Sequence, residues 1–387
     1  MKCATRLLLL CLFVALIEGC SQDVNEISDI ALVTAAAIDF DKKTNLYTFS
    51  AFCVMPSNTS KEKSSSLSHW VSSGTGKTPL DAARKMRSHV GKSLIFQHNK
   101  FFIIGESAAR NSLYEVVDYL TRKREFRITA YPIITQGLAM DKLSHGTESG
   151  DIVSNDLLGQ IRNNNLSGQI DPLSVKDFVD LFENPNRGFV SGRIVEKKSE
   201  KNGDKFLFLS GGAVIYKQKL AGWLEGSDVL AVNVLTEKEK RVDFQFNDVI
   251  DSEKDLKFSA LFHVIDSEIH GGVKNGIPSV NMKIIFGASV EDVNQYTDTL
   301  DSDTITRMER VAAEQLREKV LGSMHRFQTE LKIDILGFSD YFYQHHPKAW
   351  KTMQRDWEAL YLTLPIQIQV VVQLDKSGMT KSIKEKR

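Results

Sequence analysis

Two runs rich in apolar and β-branched residues, Ile30 to Phe40 and Leu46 to Met55, stand either side of the polar link Asp41-Lys42-Lys43-Thr44-Asn45, which predicts a β-hairpin. The Ser- and Lys-rich stretch from Ser57 to Ser68 predicts an exposed loop. Thr78-Pro79-Leu80-Asp81 supplies an N-cap, a proline at the first helical position and a capping acid, so a helix should open there and run to about Val90. Leu94 to Phe96 and Phe101 to Ile104 read as strands around Gln97-His98-Asn99-Lys100. Leu113, Val116, Val117 and Leu120 recur at helical spacing within Ser112 to Lys123, and a strand from Arg127 to Thr135 follows. Strands alternating with helices place this half in a mixed α/β class.

From Asp151 to Phe182 the pattern is helical, with Asp171-Pro172 and Ser174 as start signals and Asn184-Pro185-Asn186 as a stop. A strand from Gly188 to Glu196 meets another from Lys205 to Tyr216 across a charged link containing Asn-Gly. Further on, Asp255 to Ser267 and Ile277 to Val290 alternate apolar and polar residues around Asn275-Gly276. Ile305, Met308, Ala312, Leu316, Val320, Met324, Phe327 and Leu331 then follow one another at steps of three or four, which predicts one long amphipathic helix over about Asp303 to Leu331. A second helix from Pro347 to Leu360 and a strand from Leu364 to Leu374 close the pattern. At 387 residues the chain should divide into more than one unit. We place the division near residue 200, giving regions 20–200 and 201–387 in a multi-domain α+β architecture of mixed sheets with flanking helices.

The first nineteen residues stand apart. Lys2 and Arg6 precede an apolar run from Leu7 to Ile17, and Glu18-Gly19-Cys20 follows, which is the layout of an export signal. A run of this length reaches only about half of a hydrocarbon core of roughly 30 Å, so it is not a stable span. Gly19-Cys20 is where a lipoprotein peptidase would cut before an acylated cysteine, and Cys20 is then the lipidation site; Glu18 departs from the small or β-branched residue usual at that place. The other reading is a secreted protein cut by the ordinary signal peptidase. Bases and acids balance at 49 each, and removal of residues 1–19 leaves a net charge of about −1. No nucleic-acid partner is therefore expected, and retention at a membrane would rest on acyl chains, not on a polybasic patch. With Cys20 acylated, Cys53 is the one thiol of the mature chain, and no intrachain disulfide can form.

Candidate chemistry is thin. Gly74-Thr75-Gly76-Lys77-Thr78 ends like a phosphate-binding loop, but its first glycine would fall at Val71, and the stretch reads as a loop followed by an N-cap. His345-His346-Pro347 and His325 have no HExxH pattern or cysteine pair to support a metal site. Asp39 with Asp41, and Asp301 with Asp303, stand where turns and helix caps favour aspartate. Cys53 lies in a strand-like apolar run, where a buried thiol is inert. No catalytic, cofactor or metal residue is assigned.

The ordered set of motifs along the mature chain resembles the Ger(x)C family, the lipoprotein C subunit of nutrient germinant receptors. The stretches concerned are Val24 to Thr34 with Ile38-Asp39, Phe102 to Arg110 with Arg122 to Arg127, Gly211 to Tyr216 through Leu220 to Leu224, and Asp334-Ile335-Leu336-Gly337-Phe338 followed by Tyr341, His346-Pro347-Lys348-Ala349-Trp350 and Asp356-Trp357. The tryptophan that usually follows the family's cysteine is missing from Ser21-Gln22-Asp23. The resemblance implies a multi-domain α+β fold and no catalytic site. It also implies a lipid anchor at Cys20 on the outer face of the spore inner membrane, and action with two integral-membrane subunits, A and B, in the germination response. A lipoprotein solute-binding protein that binds a small nutrient directly is the alternative, and a cell-wall hydrolase would need a catalytic constellation the motifs do not supply.

Overall fold

The computed structural model describes residues 27–56, 68–143, 152–163, 167–198, 203, 205–236, 243–251, 256–293 and 302–375. Two mixed sheets carry the fold. The first has nine strands: β1 (Ile30–Asp41), β2 (Leu46–Val54), β3 (His69–Gly76), β4 (Ser93–Ile95), β5 (Phe101–Gly105), β6 (Tyr131–Thr135), β7 (Phe189–Lys198), β8 (Lys205–Tyr216) and β9 (Lys219–Leu224). They lie in the order β3-β2-β1-β5-β6-β7-β8-β9, with β4 beside the start of β1. The four central strands β1, β5, β6 and β7 are parallel neighbours, and antiparallel hairpins extend the sheet on both sides.

β1 is alanine-rich because it is covered on both faces. Ala36, Ile38 and Phe40 point to one core, shared with α1 (Pro79–Ser88), α2 (Glu106–Asn111), α3 (Leu113–Arg122) and α6 (Val175–Phe182). Ala35 and Ala37 point to the other, with α4 (Ala139–Leu143) and α5 (Val153–Asn163). The period-2 alternation of a strand produces this division.

The second sheet, in the order β10-β11-β12-β13, is built from β10 (Asp243–Asp251), β11 (Leu256–Lys274), β12 (Ile277–Val293) and β13 (Ile366–Leu374). α7 (Gly226–Thr236), α8 (Ser302–Arg326), α9 (Phe338–His345), α10 (Pro347–Met353) and α11 (Trp357–Leu362) accompany it. Phe244, Phe262 and Phe286 form the aromatic centre of its core, against which Met308, Ala312, Leu316 and Phe327 pack. The same core takes in Val190, Val214 and Leu224 of the first sheet, so burial is continuous between the sheets. β13 is an edge strand whose free backbone groups are covered by α8: Arg317 Nε donates to Ile368 O at 3.1 Å, and Leu374 N donates to Glu309 at 2.9 Å.

The structure departs from the sequence reading in particular places. Gly74 to Gly76 belongs to β3 and is not a loop. Residues 127–130 form a turn, with Ala130 N donating to Arg127 O, and the strand begins only at Tyr131. The long helix is regular to Arg326 and ends in a π turn, Phe327–Leu331, that Lys332 closes at a φ of 59°. Its buried stripe stops at Phe327, and Leu331 is half-exposed. The helix expected from Pro347 to Leu360 breaks at Gln354 to Asp356 into α10 and α11, and Trp350 and Trp357 meet edge to face across the break, 5.3 Å apart. Apart from these differences, residue 200 falls in the link between β7 and β8, which pair with each other in the first sheet, and the change of sheet comes between β9 and β10.

Candidate functional site

The motif Asp334-Ile335-Leu336-Gly337-Phe338 leads from α8 to α9 and places a buried carboxylate at the meeting point of the two sheets. Asp334 Oδ1 accepts from Gly337 N at 2.9 Å and Phe338 N at 3.1 Å; Oδ2 accepts from Ser339 N at 2.7 Å and Trp357 Nε1 at 3.2 Å. Backbone and indole donors thus satisfy both oxygens of an acid that is 4% exposed. Gly337 sits at a φ of +78° beneath the Arg187 guanidinium, where a Cβ would meet Nη1 at 2.4 Å, so both the turn and the close approach require glycine.

Arg187 comes from the link between α6 and β7. Its Nη1 pairs with Asp340 at 3.1 Å and its Nη2 donates to Ile335 O at 3.3 Å. Asn184 Nδ2 donates to the other oxygen of Asp340 at 2.8 Å, and Gly188 N donates to Asp334 O at 2.9 Å. On the far side, His346 Nε2 donates to Gly271 O at 2.9 Å, and Tyr341 lies so close to Gly271 that a Cβ there would meet its ring at 2.5 Å. The stretch from Asp334 to Trp357 is therefore a joint that binds the second sheet's hairpin and helices to the first sheet.

A recess of about 280 Å³ opens beside the joint, lined in part by Phe182, Pro185, Arg187, Ile215, Tyr216 and Lys217. Its cations are already paired, Arg187 with Asp340 and Lys217 with Glu358 at 2.7 Å. Tyr216 donates to the same Glu358 at 2.9 Å, and together these partners hold the Glu358 carboxyl below its usual range. The recess offers a ligand shape with both its cations spent, and Glu183 is its charge outside those pairs.

The other candidates have structural roles. Asp39 is buried at the end of β1, where its oxygens accept from Ala139 N at 2.7 Å and Met140 N at 2.9 Å and cap α4. Burial pushes its carboxyl up, opposed by those two bonds. Asp41 accepts from Lys43 N and Thr44 Oγ1 inside the hairpin turn, so the pair shares no site. Asp303 lies in the first turn of α8, and Asp301 lies outside the described residues. Cys53 is buried, and burial pushes its thiol up to about 12, which removes the thiolate at neutral pH. His345 packs on Tyr341 while His346 reaches Gly271. Among the described residues no three His, Cys, Asp or Glu side chains are grouped to hold a metal. Gly74 and Gly76 serve packing: a Cβ on either would lie 2.2 or 2.4 Å from a backbone nitrogen of α1. Thr78 caps that helix by accepting from Asp81 N at 3.1 Å.

Cys20 lies outside the described residues. No described helix is long and apolar enough to cross a membrane.

Comparison with known proteins agrees with this architecture. Residues 23–195 match the family described as spore germination protein N-terminal domain, and residues 210–378 match spore germination B3/GerAC like, C-terminal. The putative spore germination protein YfkR of Bacillus subtilis (strain 168) is 23% identical over 384 residues, which cover 96% of this chain and 95% of that one. Spore germination protein A3 of the same organism is 23% identical over 375 residues, 94% and 96% of the two chains. The crystal structure of the GerBC protein superimposes with a TM-score of 0.56 at 17% identity, covering 91% of this chain and 99% of that one. With both halves matched in order along nearly all of its length, the chain belongs to the Ger(x)C family of spore germination proteins.

Proposed function

We propose that this chain is the membrane-anchored C subunit of a nutrient germinant receptor, acting with integral-membrane A and B subunits in the germination response. The observation that carries the reading is the succession of the two spore-germination domains along 23–195 and 210–378. Asp39, Asp41, Thr78, Asp334 and His346 are spent on caps, a turn and the joint, which suits a protein that binds protein partners and leaves nutrient recognition to them. Residues 1–19 serve as the export signal, and Cys20 carries the lipid that holds regions 20–200 and 201–387 on the outer face of the spore inner membrane. Confinement there raises the local concentration near the membrane subunits without any new contact.

Copurification from spore membranes tests the partnership: A and B subunits should be recovered with the chain, and their absence overturns the reading. Cys20→Ala should release the protein from membranes, and mass spectrometry should find the acyl group at Cys20 in the parent. Calorimetry of the mature chain with amino acids, sugars and nucleosides should show no saturable heat, whereas saturable binding would make it a solute-binding lipoprotein.

A further inference from the structure

We propose that the end of the first sheet from which the N-terminal tether departs is a membrane-facing surface that docks on anionic lipid. The inference rests on Cys20 being the anchor and adds which face of the protein the anchor presents to the bilayer. Eight residue steps separate Cys20 from Ser28. They span at most about 30 Å, so the end of the fold where Ser28 sits is held close to the lipid.

That end is basic. Lys92 donates through Nζ to Ser28 O, and β4 runs parallel to the first residues of β1, with Ser93 opposite Ile30. The chain then turns through Phe96, whose ring meets Phe126 at 5.4 Å and lies under the Arg87 guanidinium at 4.8 Å. Arg87 pairs with Glu125 at 2.7 Å. These contacts pin the turn from Lys123 to Ile128 against the same end of the sheet. Arg124 and Arg127 are exposed on that turn and hold no ion pair among the described residues; Arg122 is neutralised by Asp118 and Glu125 by Arg87. Ile128, next to Arg127, is 62% exposed. Asp29 is an exposed acid at this end and the tether adds Asp23 and Glu26, which offset Lys92, so the excess of base lies on the turn itself, in Lys123, Arg124 and Arg127.

Two or three basic side chains around an exposed aliphatic one form the chemistry that meets anionic headgroups, with the bases at the phosphates and the isoleucine at the acyl boundary. On a chain whose net charge is near zero, such a local cluster does not retain the protein. It orients a body that acyl chains already retain, because its attraction acts only within about a Debye length, roughly 10 Å. The joint and the second sheet are then carried on the remainder of the molecule.

The test uses the mature chain, residues 20–387, carrying Cys20→Ala, so that no acyl group contributes and the outcome does not depend on whether Cys20 is lipidated. Flotation is measured with vesicles of phosphatidylcholine alone and of phosphatidylcholine mixed with phosphatidylglycerol. Binding should require phosphatidylglycerol and weaken with salt. Arg124→Gln with Arg127→Gln should lower it roughly 25-fold, about fivefold per charge. Removing two bases from the second sheet, Lys274→Gln with Lys283→Gln, should leave it unchanged. No preference for anionic vesicles, or equal loss from the two double variants, overturns the proposal. So does a double variant at 124 and 127 that floats like the parent yet fails to copurify with membrane subunits, since the basic end would then meet an acidic protein surface instead of lipid.

Discussion

Asp334 shows how a single side chain can look catalytic and serve structure. It is a buried acid bonded to an indole, but four donors surround it and none belongs to a group that could exchange a proton with a substrate. Asp334→Ala leaves three backbone N–H groups and one indole N–H without an acceptor. The expected cost is at least about 3 kcal/mol, read as a lowered denaturant midpoint. Asp39 differs because burial raises its folded-state pKa above the unfolded value. The folded protein therefore binds a proton at Asp39 before the unfolded chain does as pH falls. The stability this group contributes is complete below its unfolded pKa and is lost as pH rises through the folded one. Comparing unfolding midpoints of the parent and Asp39→Asn from about pH 4 to 7 should show the parent gaining on the variant toward acid. A gap that is constant, or that widens toward neutral pH, would mean that the two backbone bonds outweigh burial.

At the scale of elements, α8 is the clearest case of a pattern that maps directly onto packing. Its stripe from Ile305 to Phe327 is buried against the second sheet, and Leu316→Ala or Phe327→Ala should each cost about 2–5 kcal/mol by chemical denaturation. Unchanged midpoints for both would place the stripe outside the core. Other elements were legible for equally local reasons: Thr78 and Ser174 cap helices where the N-cap signals stand, and the β1–β2 turn falls at Asp41 to Asn45. α7 was missed because it is apolar almost all round, with Val229, Ala231, Val232, Val234 and Leu235 buried, so it has no stripe to detect. β3 was missed because its glycines read as a loop, although they are there to let α1 approach. β10 carried a usable signal in the alternation of Phe244 and Phe246. The split between α10 and α11 was not legible, since no Pro or Gly marks it; it brings Trp357 to Asp334, a contact 23 residues apart in sequence. The joint was visible only as a motif of unstated role, because its partners Asn184 and Arg187 lie about 150 residues away.

On the scale of the whole molecule, that joint decides whether the protein behaves as one body. The core around α8 already includes Val190, Val214 and Leu224 from the first sheet, and the Arg187–Asp340 pair, 17% and 29% exposed, locks the outside of that contact. A partly buried pair of this kind, with the guanidinium also bonded to Ile335 O and the carboxylate to Asn184, loses more than a surface bridge does, because each partner left alone keeps unsatisfied polar atoms. Arg187→Ala, Asp340→Ala and the double variant form a cycle whose coupling should be about 1–3 kcal/mol. The parent should unfold in a single transition reported alike by hydrogen exchange at the amides of the first sheet and at those of the second. Either single variant should separate those signals, with the second sheet and its helices melting apart from the first. Coupling near zero with coincident transitions throughout would show that the shared apolar core alone unites the sheets, and that the polar joint sets their angle without holding them together.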